Sequence, residues 1–227
     1  MSKTTYRYRI FFAKDGAARF IGHLDLQSLF QKAIRRAALP VAYSEGFNPH
    51  QLLSFAAPLP LGMAGLGEIL EVYMTAEVAP AAIVDGLNPQ MPGGINILSA
   101  VEIAHTGKGG AALTRAATYS IIFPFSDALA AKFDAATQSI LAAEAINVTK
   151  KTKKGLAVAD MRPDILALDN TSSDSKISLC AVLSTGSARN LKPEMLAQHI
   201  LDTTGVTMDN LDITYVRLSL HLMEGGA

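Results

Sequence analysis

The sequence holds a single cysteine, Cys180, among its 227 residues. One thiol excludes an internal disulfide, a four-cysteine zinc site and a chain-encoded set of three cysteine ligands for an iron–sulfur cluster. Cys180 lies in the apolar stretch KISLCAVL, and an apolar strand predicts a buried core thiol. We therefore expect the chain to bind no cofactor and no metal ion of its own.

Long apolar runs and an excess of charge of one sign are also missing. No run approaches the roughly 18 apolar residues that a membrane span requires, and the first residues, MSKTTYRYRI, lack the apolar centre of a signal peptide. We therefore expect a cytoplasmic protein without membrane contact. Because 20 basic and 20 acidic residues balance to a net charge of zero, any binding of nucleic acid must depend on a local basic surface.

Signatures of nucleotide-binding loops and of serine nucleophiles are missing as well. The glycine-rich stretch PLGMAGLG has neither the GxxxxGK(S/T) nor the GxGxxG order, and it joins two strand-like runs. Ser44 and Ser187 lack the context of a nucleophile elbow. The sequence therefore gives little support to a P-loop nucleotide site or to a serine hydrolase.

The first half of the chain has the predicted element order βαββαβ. The stretch YRYRIFF predicts a strand, and apolar residues at three- and four-residue spacing from His23 to Ala37 predict a helix. Two strands, a short helix and a fourth strand follow, up to Ile103. The glycine content of the next stretch, HTGKGGAALTR, is typical of a linker.

The second half repeats this order with an insertion. INVTKKT and GLAVADM predict its second and third strands, whereas DILALDN and KISLCAVL predict an added hairpin. The sequence therefore predicts an α+β protein with tandem ferredoxin-like domains, the second with an added hairpin. The predicted domains cover residues 1–104 and 116–227, and residues 105–115 form the predicted linker.

Polar side chains concentrate around the first predicted helix. Arg19 precedes this helix, His23 and Asp25 begin it, and the segment YSEGFNPH follows its end. We predict that one face of the first domain, near its junction with the second domain and within reach of Arg162, brings together His23, Tyr43, Glu45, Asn48 and His50. The alternative is a set of separate turn caps without a shared cavity.

Aromatic rings beside basic residues suggest a surface for single-stranded RNA, because bases stack on rings while cations hold phosphates. In the first domain this combination consists of Tyr43, Phe47, Arg19 and Arg36. In the second domain the predicted anion-binding residues are Lys150, Lys151, Lys153, Lys154, Arg162 and Arg189. The alternative is ordinary core aromatics beside solvated charges.

Two long stretches, RFIGHLDLQSLFQKAIRRAALPVAYSEGFNPHQLLSFAAPLPLG and VADMRPDI, resemble the bacterial radical-SAM-linked protein family, a domain of unknown function. That family occurs alone or fused to the C-terminus of a cobalamin-binding-type radical SAM protein. The resemblance covers nearly the whole chain, although Gly22, Gln51 and Met161 stand where the family often has serine, arginine and leucine. It implies a radical SAM protein as the partner.

The leading hypothesis is a companion of a radical SAM enzyme that binds RNA or presents a substrate and has no activity of its own. One alternative is a metal-independent RNA-cleaving or RNA-modifying enzyme, in which His23 is the base and Tyr43 or His50 assists. A second alternative is a protein–protein adaptor with an exposed apolar patch at Leu61, Met63 and Leu66.

Overall fold

The computed structural model describes residues 5–104, 107–152 and 155–223, and the chain divides into two compact units. Unit 1 comprises Met1–Thr114 and Ser219–Ala227, and unit 2 comprises Arg115–Leu218. Both units combine helices with antiparallel strands, which confirms the predicted α+β class. In the part of the chain that is described, no helix is both long enough and apolar enough to cross a membrane.

Unit 1 builds a sheet around its first strand. In chain order its elements are β1 (Tyr6–Lys14), α1 (His23–Arg36), β2 (Leu53–Phe55), β3 (Ala64–Met74), α2 (Pro80–Leu87), β4 (Ile95–Ile103) and α3 (Gly110–Leu113). β1 lies between β4 and β3 and pairs antiparallel with both, and β2 pairs antiparallel with β3. The order within the unit is therefore β4-β1-β3-β2.

The core of unit 1 lies between the two helices α1 and α2 and the sheet. The apolar residues that the sequence places at helical spacing are buried, among them Leu26, Phe30 and Ile34. The rings of Phe12, Phe30 and Phe55 meet edge to face, with centroids 4.9 to 5.8 Å apart. The period of the predicted helix thus gives the face of α1 that packs on the sheet.

Unit 2 contains four paired strands, which we call its main sheet, and a separate hairpin. Its elements are β5 (Thr114–Phe123), α4 (Asp127–Ala142), β6 (Asn147–Thr152), β7 (Gly155–Asp160), β8 (Ile165–Asn170), β9 (Ile177–Ser184), α5 (Pro193–Thr204) and β10 (Thr214–Leu222). The main sheet has the order β10-β5-β9-β8, and β6 pairs with β7 alone. Ser126 caps the start of α4, where its side chain accepts a hydrogen bond from the Leu129 N–H group.

The prediction of which hairpin is the addition was wrong. β8 and β9, the predicted insertion, are part of the main sheet, whereas β6 and β7 form a two-stranded sheet of their own. The physical reason lies in burial. β9 is flanked by β5 and β8 and is buried along most of its length, which explains why its sequence is mostly apolar. In contrast, Val158 of β7 is 73% exposed.

The unit boundaries differ from the predicted domains and linker. Within the predicted linker, Gly110–Leu113 forms α3 and Thr114 begins β5, while His105 and Thr106 lie outside the described residues. A Cβ atom on Gly110 would lie 3.1 Å from both Ala56 and Glu71, so this glycine marks a close packing contact. Chain from Ser219 onward also belongs to unit 1.

Candidate functional site

The segment between α1 and β2 forms a loop that is closed at its base, and we call residues 44–50 the pinched loop. Tyr43 and Gln51 form an antiparallel bridge just outside it. The Ser44 N–H group donates to the His50 carbonyl at 2.8 Å, and the His50 N–H group donates to Ser44 Oγ at 3.0 Å. Ser44 Oγ also lies 2.8 Å from His50 Nδ1. These contacts hold the two ends of the loop together.

Local sequence explains the shape of the pinched loop. Gly46 has a φ of +112°, a value that side chains with a Cβ atom rarely adopt. Pro49 restricts Asn48 to extended conformations and has no N–H group that requires a partner. The short Ser44 side chain bonds back to a nearby backbone group, as serines in turns commonly do.

The tip of the pinched loop presents an aromatic ring to solvent. Phe47 is fully exposed, and Tyr43 at the base is half exposed. Glu45, Asn48 and His50 are exposed as well. A large apolar ring gains little for folding at such a position, because its surface stays in water. The pinched loop therefore exposes Phe47 to solvent on a base that hydrogen bonds hold together, and its tip does not line a cavity.

His23 is positioned by the start of α1 and contacts β2. The buried amino group of Lys14 donates to the Ile21 carbonyl at 2.7 Å and to the Arg19 carbonyl at 3.3 Å, which fixes the chain just before the helix. The His23 ring meets the Phe55 ring edge to face at a centroid distance of 5.4 Å.

The base of the pinched loop contacts α1 at a different place. Gln51 Nε2 donates to the Gln31 carbonyl at 3.2 Å and to the Tyr43 hydroxyl at 3.4 Å. Gln31 follows His23 by eight residues, which corresponds to about 12 Å along a helix axis. The described contacts thus join His23 to Phe55 and join His50 to Ser44. A shared site for His23 and His50 stays a prediction.

The other predicted residues of unit 1 lie along the start and the outer face of α1. The Arg19 guanidinium lies over the Phe20 ring, with its central carbon 4.8 Å from the ring centroid. Asp25 and Arg36 line an open groove of about 680 Å³. One N–H group of Arg36 donates to the Gln90 carbonyl at 3.0 Å, at the edge of that groove.

In unit 2, Arg162 supports the backbone, which differs from its predicted role in anion binding. Its guanidinium donates to the carbonyls of Leu141 and Ala143, at 3.2 Å each, and of Ile165 at 3.0 Å. The first two carbonyls lie at the end of α4, where backbone acceptors lack helical partners. The VADMRPDI stretch is thus a structural corner that leads from β7 into β8 and is hydrogen-bonded to the end of α4.

Asp160 and Asp164 complete this corner. Asp160 accepts hydrogen bonds from the Ile146 and Arg162 N–H groups, at 2.8 and 2.9 Å, and these bonds hold the pKa of its carboxyl below the ordinary value. Arg189 Nε donates to the buried Asp164 carboxylate at 2.5 Å, which raises the pKa of the guanidinium further. Arg189 is therefore exposed but already paired with an acid inside unit 2.

The basic run KKTKK is only partly described. Lys150 and Lys151 belong to β6 of the separate hairpin, and Lys153 and Lys154 lie outside the described residues. In the predicted apolar patch, Leu61 and Leu66 are exposed. Met63 is only 4% exposed, so its place in that patch was predicted wrongly.

A buried charge cluster in unit 1 was not predicted. The Glu71 carboxylate accepts from Arg7 Nη2 at 2.6 Å, from Arg9 Nη2 at 2.8 Å and from the Gly110 N–H group at 2.9 Å. Burial alone raises the pKa of Glu71, but the bonds from Gly110, Arg9 and Arg7 outweigh it and lower the pKa. The sequence feature that could have indicated this cluster is the alternation in YRYRIFF, which places both arginines on the face opposite Tyr8.

No group of three potential metal ligands, His, Cys, Asp or Glu, comes together within the described ranges 5–104, 107–152 and 155–223. The described site chemistry therefore consists of an exposed aromatic loop, a groove with exposed cations, and ion pairs that support the backbone.

Comparisons with known proteins identify a family and two distant structures. The family model described as an uncharacterized protein conserved in bacteria (DUF2344) matches residues 7–193. No curated protein matches the chain. The crystal structure of an unknown protein from Galdieria sulphuraria is 13% identical, covers 96% of this chain and 100% of its own, and has a TM-score of 0.28. A structure provisionally described as a glycine cleavage system transcriptional repressor is 9% identical, covers 94% of this chain and 98% of its own, and has a TM-score of 0.24.

Proposed function

Given that the chain belongs to this family of bacterial proteins, we propose that it is a recognition subunit that binds single-stranded RNA and presents it to a radical SAM enzyme. In this proposal both units are ferredoxin-like, and the protein acts in the cytoplasm. The chain itself supplies binding and orientation, and the partner supplies the cluster and the reaction. With one cysteine, the chain has no three-cysteine ligand set for such a cluster.

The observation that carries the proposal is the exposed Phe47 ring at the tip of the pinched loop. Because Ser44 and His50 already hold the base of the loop, little conformational freedom is lost when the ring contacts a ligand. Every nucleobase has a face on which an aromatic ring can stack, and one such contact contributes about 1–3 kcal/mol. The half-exposed Tyr43 offers a second ring close by along the chain.

The link to a radical SAM enzyme rests on the resemblance of the stretches around the first helix and VADMRPDI. An adaptor role is a second candidate, because Phe20 and Leu61 are exposed and the Gly62 N–H group donates to the Arg19 carbonyl, which brings their segments together. A cleavage reaction with His23 as base has less support, since the described ring contacts of His23 and His50 are with different residues, Phe55 and Ser44.

Crosslinking of the full chain to cellular RNA, at a low and a high salt concentration, tests the proposal. We expect retention of RNA that salt weakens, and a loss of about tenfold in affinity in Phe47→Ala, equivalent to about 1.4 kcal/mol from one stacked base. Leu211→Ala is the matched control, because Leu211 is an exposed apolar residue of unit 2; it should leave affinity unchanged.

Capture of a partner from lysate by the same proteins separates the two candidates. Capture of a radical SAM protein together with salt-sensitive RNA binding supports the recognition subunit. Capture of that protein without any RNA retention supports the adaptor instead. Equal RNA affinities for Phe47→Ala and Leu211→Ala would show that the pinched loop does not contribute to RNA binding.

A further inference from the structure

An open groove of about 680 Å³ runs along the exposed face of α1 in unit 1. The helix contributes one wall, which consists of Asp25, Ser28, Leu29, Lys32 and Arg36. Residues 89–92, with the sequence Pro-Gln-Met-Pro, form the other wall. The groove therefore combines charged side chains with apolar surface from Leu29 and Met91.

The two cations of the groove lie side by side on the helix. Lys32 and Arg36 are four residues apart and both exposed, so they share one face with an axial separation of about 6 Å. The bond from Arg36 to the Gln90 carbonyl holds the guanidinium at the edge of the groove. A guanidinium has five N–H donors, and this bond uses one of them.

We infer that this groove holds the backbone of a short single-stranded RNA segment, with consecutive phosphates at Lys32 and Arg36. The inference rests on the proposed function and specifies where the phosphates of the bound RNA lie. Because the two cations project from positions one helical turn apart on the same face, each of two consecutive phosphates can have its own positive partner.

The opposite end of the groove explains why the ligand is a nucleotide chain and not a uniform polyanion. Asp25 lies eleven residues before Arg36, which is about 16 Å along the helix axis. A carboxylate there repels phosphate but accepts hydrogen bonds from a base edge or from a ribose 2′-hydroxyl. Leu29 and Met91, both half-buried in the groove wall, provide apolar contact for a sugar or a base face between the two ends.

Salt dependence of binding is the sharpest test, because each phosphate contact to a single strand changes the slope of log K against log salt by about 0.7. Anisotropy of a fluorescein-labelled oligouridylate is measured over a series of salt concentrations. Removal of both cations in Lys32→Ala/Arg36→Ala should make the slope less steep by about 1.4. The control Lys176→Ala/Lys192→Ala removes two exposed lysines of unit 2 and should leave the slope unchanged.

The results distinguish this inference from the proposed function. If the unmodified chain binds no oligouridylate, both fail. If it binds with salt dependence but the Lys32→Ala/Arg36→Ala slope equals that of the unmodified chain, only the groove assignment is overturned. Phe47→Ala should weaken binding with an unchanged slope, because stacking releases no counterions. Displacement of the oligonucleotide by an equal concentration of uridine diphosphate would identify a free nucleotide as the ligand and overturn the assignment to RNA.

Discussion

At the scale of single residues, Glu71 neutralises the buried positive charge of Arg7 and half-buried Arg9 in unit 1. Glu71→Gln keeps the size of the side chain but leaves two guanidinium groups without their counter-charge. Breaking a buried ion pair on one side is strongly destabilising, so we expect a loss of about 3 kcal/mol in the free energy of unfolding. Urea unfolding of Glu71→Gln and of the unmodified chain measures this loss. Glu77→Gln, at an exposed glutamate, is the control and should change the free energy of unfolding by less than about 0.5 kcal/mol.

The same substitution has a defined pH dependence. Because the folded-state pKa of Glu71 lies below the ordinary value of 4.5, the carboxylate stabilises the fold fully above pH 4.5. As the pH falls through the lowered pKa, Glu71 takes up a proton and this contribution is lost. The difference in unfolding free energy between the unmodified chain and Glu71→Gln should therefore shrink on acidification. A difference that stays constant to well below pH 4.5 would contradict the charge-based account.

Sequence reasoning reached some of these residues and not others, for a physical reason. Phe47 and Tyr43 were candidates because aromatic rings beside basic residues in one segment suggest a surface for single-stranded RNA. The Glu71 cluster was missed because its partners are 62 and 64 residues away, across strands whose register the local pattern does not specify. In the sequence EILEVYM alone, Glu71 is indistinguishable from an ordinary solvent-facing residue, because only the strand pairing places Arg9 opposite it.

At the scale of elements, Arg162 stabilises the end of α4. Arg162→Ala removes donors to the Leu141, Ala143 and Ile165 carbonyls, and we expect a loss of about 2 kcal/mol in unfolding free energy. RNA affinity should stay unchanged, because these donors point to the backbone. Urea unfolding and oligouridylate anisotropy on the same samples separate the two roles. A loss of affinity in folded Arg162→Ala, with stability unchanged, would restore the anion-binding prediction.

Helices were easier to predict than strand partners. The period of Leu26, Phe30 and Ile34 lies within one helix, and the cap residue Ser126 acts on the N–H group of Leu129, three residues away. Pairing of β9 with β5 depends on chain segments far apart, and four short strand-like runs in a row allow more than one arrangement. That is why β6–β9 were correctly expected as strands, whereas the wrong one of their two hairpins was predicted to be the addition.

At the scale of the whole molecule, the β6–β7 hairpin should be dispensable for folding. Replacement of residues 148–159 by Gly-Gly leaves Asn147 opposite Asp160, as in the present register, and two glycines suit a tight hairpin turn. The Asp160 bonds to Ile146 and Arg162 remain possible. We expect a cooperative transition with an unfolding free energy within about 1.5 kcal/mol of the unmodified chain.

The same deletion removes the KKTKK run from unit 2. If these lysines bind RNA phosphates, the slope of log K against log salt becomes less steep by about 0.7 for each phosphate that no longer has a lysine beside it. Circular dichroism during thermal unfolding provides the check on folding, and oligouridylate anisotropy provides the slope. Absence of the cooperative transition would show that the hairpin is required by the main sheet of unit 2.

The order of elements along the chain could be predicted from the spacing of apolar residues, but the assignment of segments to the two units could not. The glycines of HTGKGGAALTR suggested flexibility, whereas Gly110 is buried and donates to Glu71. Strand β10 begins in unit 2, and its last residues from Ser219 belong to unit 1. Only a three-dimensional contact reveals this return, such as the Met223 N–H group donating to the Leu113 carbonyl at 2.8 Å.

That return has a consequence for synthesis on the ribosome. Domains usually fold in turn, starting from the N-terminal one, while later residues are still being translated. The hydrogen bond from the Met223 N–H group to the Leu113 carbonyl can form only after Met223, 110 positions downstream, has been translated. Unit 1 therefore cannot reach its final set of contacts until nearly all of this sequence has emerged. A nascent chain stalled before Ser219 should be more sensitive to protease within residues 107–114 than one released after Met223.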